Sequence, residues 1–126
     1  MRVPQELRYT SDHEWARLSE GTIRIGITDY AQDALGDVVY VRLPEMGSHL
    51  AQGEVLGEVE STKSVSEIYA PVSGEVQAVN TELDGAPELL NSDPYGNGWI
   101  CDIRPDDPGS LDRLLDSAAY AELTAE

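Results

Sequence analysis

Gly53-Glu54-Val55 and Gly74-Glu75-Val76 stand ten residues before and eleven residues after Lys63, so the middle of this chain is a loose internal symmetry centred on one lysine. On either side, Glu54 to Val59 and Val65 to Ala70 have the composition of short strands, and the polar Glu60-Ser61-Thr62-Lys63-Ser64 joins them. That pattern places Lys63 at an exposed hairpin tip. Two strand pairs of similar sequence related about a lysine point to a mainly β fold, a flattened β-sandwich.

The rest of the chain supplies compatible pieces. Glu14 to Leu18 and Thr22 to Ile27, with Ile23, Ile25 and Ile27 alternating against polar residues, form a hairpin across Ser19-Glu20-Gly21. Thr28 is an N-cap for a short helix, Asp29 to Leu35, that Gly36 stops. A strand runs from Val38 to Leu43 and ends at Pro44. Pro71-Val72-Ser73-Gly74 is a turn, followed by a strand from Glu75 to Val79. Pro87 suits the first position of a brief helical turn through Leu90, and Asn91 to Gly98 is a loop by composition. The last strand, Trp99 to Ile103, puts Trp99, Cys101 and Ile103 on one face, which makes Cys101 a small buried hydrophobe. Leu111, Leu114, Leu115, Ala118, Ala119 and Leu123 recur with helical spacing, so a C-terminal helix is expected over 110–123 with Ser110 as its N-cap, packed on an open face of the sandwich.

With 126 residues the chain fits a single domain, 1–126, whose β core is expected over 22–104. A net charge of −16 repels phosphate backbones and anionic lipid and favours partners with basic docking faces, so neither nucleic acid nor membrane is expected. The first residues contain no apolar run of signal-peptide length and no stretch is long enough to span a bilayer, so a soluble, cytoplasmic protein is expected. A single cysteine excludes an intrachain disulfide. His13 and His49 lie far apart, and neither CxxC, HExxH, GxGxxG nor a P-loop occurs, so the residues indicate no metal site and no catalytic residues. The chain reads as a non-enzyme.

Lys63 is the only lysine, against seven arginines and 24 acidic residues. A primary amine on a flexible stem can be acylated and lose its charge, which guanidinium cannot. Small hydroxylated neighbours, Thr62 and Ser64, leave it accessible. A rigid tip presenting one amine, on a small protein with no catalytic apparatus of its own, is what a swinging-arm carrier requires. The plain alternative is a solvated charge at a hairpin tip, in a chain that prefers arginine to lysine.

The string from Val59 to Val76, Val-Glu-Ser-Thr-Lys-Ser-Val-Ser-Glu-Ile-Tyr-Ala-Pro-Val-Ser-Gly-Glu-Val, closely resembles the lipoyl-attachment region of glycine cleavage system H proteins. Ser11-Asp12-His13-Glu14-Trp15, Gly26 to Gln32, Leu35 to Val41, Leu43-Pro44 and Asn91 to Gly96 also resemble that family, in its order, so the likeness runs from about Tyr9 to Tyr120. It implies a barrel-sandwich hybrid of the lipoyl-domain kind, one lipoate per chain in amide linkage to Lys63, and attachment by a lipoyl or octanoyl transferase. It further implies service to a pyridoxal-phosphate glycine decarboxylase (P protein), a folate-dependent aminomethyltransferase (T protein) and a flavin dihydrolipoamide dehydrogenase (L protein). By position, Glu14 and Glu67, with Asp12 behind them, are the acids implied to hold the cationic aminomethyl cargo, and Glu60 is implied in recognition by the attaching enzyme. Thr62 and Cys101 depart from the residues common in the family at those positions, and neither touches the amine. Three other readings compete: a biotin carrier, disfavoured because methionines do not flank Lys63; a lipoyl relay to other complexes; and an unmodified acidic interaction module.

Overall fold

The computed structural model describes residues 1–125. In chain order its elements are β1 (Arg8–Tyr9), β2 (Glu14–Ser19), β3 (Thr22–Ile27), α1 (Asp29–Leu35), β4 (Val38–Arg42), β5 (His49–Leu50) and β6 (Val55–Ser61). There follow β7 (Val65–Tyr69), β8 (Gly74–Val79), α2 (Glu82–Gly85), α3 (Leu89–Ser92), β9 (Cys101–Pro105), a 3-10 turn (Ser110–Arg113) and α4 (Ser117–Thr124). One sheet has six strands in the order β1-β2-β3-β9-β8-β5 and the other three, β4-β6-β7, with every pairing antiparallel. This is a mainly β, flattened sandwich with short helices and a C-terminal helix.

Alternation writes the core. Ile23, Ile25 and Ile27 bury one face of β3, and Val41, Val59 and Ile68 carry the three-stranded sheet onto the same cluster. Each such side chain contributes roughly 1.5–3 kcal/mol of burial. A second cluster forms where the chain ends meet, around Leu7, Tyr9, Trp15 and Tyr120. Trp15 pairs across the strands with Gly26, and a Cβ there would sit 2.6 Å from the indole. The indole N–H is satisfied by the Pro94 carbonyl at 2.9 Å.

Helix α1 is built as its sequence dictates. Thr28 Oγ1 accepts the Ala31 N–H at 3.2 Å, and Gly36 ends the helix at φ 80. The C-terminal helix is shorter than its leucine spacing predicts. It does not run over 110–123: Ser110–Arg113 is a 3-10 turn, and α4 begins at Ser117 with Asp116, not Ser110, as its N-cap, accepting the Ala119 N–H at 2.8 Å. The cause is a competing backbone pairing. Leu115 exchanges both hydrogen bonds with Tyr9, at 2.8 and 2.9 Å, which requires extended backbone where the helix would have continued.

Two smaller expectations also change. Trp99 does not share the face of Cys101 and Ile103; β9 starts at Cys101, those two are fully buried, and Trp99 packs with the second cluster under the Arg24 guanidinium, 3.9 Å from its ring centre. Arg24 is held there by paired bonds to Asp102 at 2.9 and 3.1 Å. Helix α3 extends through Ser92 into the segment expected as loop, and α2 is a single turn too short to show a period. No helix among the described residues is long and apolar enough to cross a membrane.

Candidate functional site

Lys63 stands on a tight turn closing the β6–β7 hairpin. Ser61 N–H donates to the Ser64 carbonyl at 2.8 Å, and Ser61 Oγ accepts the amide protons of Lys63 and Ser64, both at 3.1 Å. One serine hydroxyl therefore satisfies the two donors that the turn leaves over. A further bond ties the turn to the end of α1: Thr62 N–H donates to the Asp37 carbonyl at 3.0 Å. The Lys63 stem lies across Gly36, its Cε 3.0 Å from where a Cβ on that glycine would sit. Asn91 clamps the same corner, its amide donating to the Gly36 carbonyl at 2.8 Å and to Gln32 at 3.1 Å while its oxygen accepts the Val38 N–H at 2.9 Å.

A cleft of about 290 Å³ opens beside the lysine turn. One wall is α1, through Tyr30, Ala31, Ala34 and Leu35; the other is the edge strand β7, from Ser64 to Ile68; Ile27 and Val59 are apolar contributions from within. Both walls run from the lysine towards Asp12, His13 and Glu14, which complete the lining. Along α1, Gly36 to Tyr30 is roughly 9 Å at 1.5 Å per residue. Along β7, Ser64 to Ile68 is roughly 13 Å at 3.3–3.4 Å per residue. The cleft is thus a trough with an amine at one end and carboxylates at the other.

The structure brings Asp12, Glu14 and Glu67 to this one cleft. Glu14 is buried, only 2% exposed, and Asp12 and Glu67 are exposed. Glu14 Oε1 accepts the Thr10 hydroxyl at 2.8 Å and Oε2 accepts the Tyr69 N–H at 2.8 Å. Burial outweighs those bonds and pushes its pKa up to about 7, with the nearby Asp12 charge adding to the rise. Glu67 accepts the Tyr69 hydroxyl at 3.4 Å. No lysine or arginine is among the lining residues, so the local field favours a cationic guest. Among the described residues no cluster of three or more His, Cys, Asp or Glu side chains is arranged to hold a metal ion.

Glu60 does not line the cleft. It pairs with Tyr40 on one side and Val65 on the other, in a row across the three-stranded sheet. A register shift between Val38 and Tyr40 turns two consecutive apolar side chains outward, Val39 at 55% and Tyr40 at 51% exposure. Glu60 is therefore a half-buried acid framed by exposed apolar groups, three residues from Lys63.

Two residues of the site are not evident from spacing. Asn91 lies in a polar run that reads only as loop. His13 adopts φ 69, stacks on Tyr30 with ring centres 4.6 Å apart, and has its Nδ1 2.8 Å from the Tyr120 hydroxyl. That hydroxyl in turn lies 2.7 Å from Thr28 Oγ1. Its partner residues are far apart in the sequence; only the acidic and aromatic neighbours of His13 in Asp12-His13-Glu14-Trp15 single it out.

Known proteins match this arrangement over nearly the whole chain. Residues 7–126 match the family described as Glycine cleavage H-protein. The glycine cleavage system H protein of Mycobacterium avium (strain 104) is 58% identical over 123 residues, covering 94% of this chain and 93% of the relative. That of Mycolicibacterium smegmatis (strain ATCC 700084 / mc(2)155) is 55% identical over 129 residues, covering 98% of each. The crystal structure of a glycine cleavage system H protein from Mycobacterium marinum superposes with a TM-score of 0.88 at 42% identity, covering 95% of this chain and 97% of the other. By fold, by sequence and by the extent of both matches, this chain belongs to the glycine cleavage H-protein family.

Proposed function

We propose that the protein carries a lipoyl group in amide linkage on Lys63 and shuttles the aminomethyl group of glycine from glycine decarboxylase (P protein) to the tetrahydrofolate-dependent aminomethyltransferase (T protein), in the cytoplasm. Dihydrolipoamide dehydrogenase (L protein), a flavin enzyme, would reoxidise the dithiol with NAD as electron acceptor, and a lipoyl or octanoyl transferase would install the group on Lys63. Family membership makes the protein a carrier subunit of glycine cleavage rather than a catalyst. The single observation that carries the finer reading is the trough that begins at Lys63 and ends at Glu14, Asp12 and Glu67.

The residues present fit such a group. The Lys63 amine is exposed on a turn fixed by five hydrogen-bonding atoms, and a cleft of mixed polar and apolar lining starts beside it. When bound, the lipoyl group supplies the thiol–disulfide chemistry. The chain supplies the rest. Ile27, Val59 and Leu35 offer the arm apolar contact, and Glu14, Glu67 and Asp12 hold the ammonium of the cargo by charge. An amine kept protonated has no lone pair to expel the sulfur, so carboxylates at the far end protect the cargo from water. Glu60, with Tyr40 and Val65 beside it, serves recognition by the attaching enzyme.

A reconstituted glycine cleavage system tests this reading. Lys63→Arg is expected to abolish glycine turnover while leaving the circular dichroism and melting transition intact, since an exposed turn side chain contributes little stability. Full turnover by that variant contradicts it. Glu67→Gln is expected to shorten the lifetime of the loaded cargo, and an unchanged lifetime removes Glu67 from the site. Normal growth on glycine as nitrogen source after deletion favours lipoyl relay over glycine cleavage.

A further inference from the structure

We infer that His13 is a positioning residue of the arm cleft, held by Tyr120 and Thr28 in the tautomer whose Nε2 carries the proton, and that this N–H donates to a sulfur of the reduced, dithiol arm. The inference rests on Lys63 bearing a lipoyl group.

Hydrogen-bond accounting sets the tautomer. Thr28 Oγ1 is buried, accepts the Ala31 N–H at 3.2 Å, and has one proton of its own to place. Its neighbour is the Tyr120 hydroxyl at 2.7 Å, which also lies 2.8 Å from His13 Nδ1. If Thr28 donates to Tyr120 and Tyr120 donates to Nδ1, every proton in the chain has an acceptor. If Nδ1–H donates to Tyr120 instead, Tyr120 must donate to Thr28, and the Thr28 proton is left buried without a partner. Orphaning a buried donor disfavours that arrangement by roughly ten-fold or more. Tyr120 keeps its proton throughout, because burial pushes its pKa up to about 12. Burial likewise holds the His13 imidazole below its ordinary range, opposed by the Asp12 charge.

His13 therefore presents Nε2–H. That atom has no partner among the described residues and is not among the buried, unsatisfied atoms, so it is open for a ligand, and His13 lines the cleft. The residue is fixed there from three sides: by the Tyr120 bond, by its stack on Tyr30, and by a left-handed backbone closed by the His13 N–H to the Thr10 carbonyl at 3.1 Å. A donor so placed among Asp12, Glu14 and Glu67 does not compete for the ammonium, which needs acceptors. It needs an acceptor itself. The amide carbonyl of the arm stays near Lys63, whereas His13 stands at the opposite end of α1 against Tyr30, roughly 9 Å along the helix. Of an arm carried on Lys63, the acceptors that would reach this end are its two sulfurs.

The test uses the full chain, unmodified and lipoylated, the latter reduced with a phosphine. Long-range ¹H–¹⁵N spectra of the two imidazoles, His13 and His49, are read near pH 8. We expect His13 with Nε2 protonated and Nδ1 bare in both forms, and a mixture of tautomers in Tyr120→Phe. In the reduced lipoyl protein, thiolate absorbance is titrated against pH. His13→Asn keeps a residue type that tolerates the left-handed backbone but lacks a donor at the Nε2 position. It is expected to lower the acid dissociation constant of the more acidic thiol about ten-fold or more, as loss of one hydrogen bond to a charged acceptor does. His13→Gln, whose amide reaches the Nε2 position, is expected to recover most of that loss. An Nδ1-protonated His13, or a thiol titration unmoved in His13→Asn, overturns the inference alone. A chain that takes no lipoyl group from its transferase overturns the proposed function, and this inference with it.

Discussion

The Glu14 carboxylate accepts the Tyr69 N–H at 2.8 Å and so ties β2 to β7 at the end of the cleft away from Lys63. This acid is buried with no basic partner among the described residues, and its pKa is raised from 4.5 to about 7. Between those values the folded state holds a proton that the unfolded chain has lost, so Glu14 makes stability fall as pH rises through the window, and the penalty is complete above pH 7. A rise of this size corresponds to about 3 kcal/mol. Glu14→Gln is expected to remove it, so that chemical denaturation shows the variant gaining on the wild type between pH 4.5 and 7.5 and holding a constant lead beyond. A lead that does not vary with pH contradicts this. The same variant is expected to lose protection of the cargo, a cost in function for a gain in stability.

Gly36 occupies a backbone conformation, φ 80 and ψ −159, that is essentially restricted to glycine. It also makes room for the Lys63 stem, 3.0 Å from any Cβ placed there. Gly36→Ala is expected to destabilise the fold by about 1–3 kcal/mol and to slow modification of Lys63. Equal stability and equal modification rate in the two proteins would show that neither constraint operates.

Asn91 makes three hydrogen bonds across the corner between α1 and β4. Asn91→Ala leaves the Gly36 carbonyl and the Val38 N–H without their partner, at an expected cost of about 2 kcal/mol in urea denaturation. Asn91→Asp is expected to do as badly, because a carboxylate can accept from Val38 but donates to neither Gln32 nor Gly36. A loss under 0.5 kcal/mol in both variants would contradict the clamp.

How legible all this was depends on the range of the interaction. Alternation along Thr22 to Ile27 and the cap Thr28 with the stop Gly36 are local signals, and the strands and α1 follow them. The hairpin that presents Lys63 is local too, since polar residues interrupt two apolar runs. The leucine spacing after Ser110 misleads because Tyr9, more than a hundred residues away, claims the backbone of Leu115. Asn91 and the chain from Thr28 through Tyr120 to His13 are likewise long-range, and no periodicity reports them. Asp12, Glu14 and Glu67 could be named only through the family resemblance; among 24 acids, nothing in their spacing sets them apart.

The carrier role rests on one atom, the Lys63 Nζ. Protein purified from its native cells should be digested and the peptide containing Lys63 weighed and fragmented, alongside the intact mass. The expected result is one lipoyl amide per chain, located on Lys63. A native protein wholly unmodified at Lys63 would contradict it and leave an acidic interaction module in place of a carrier.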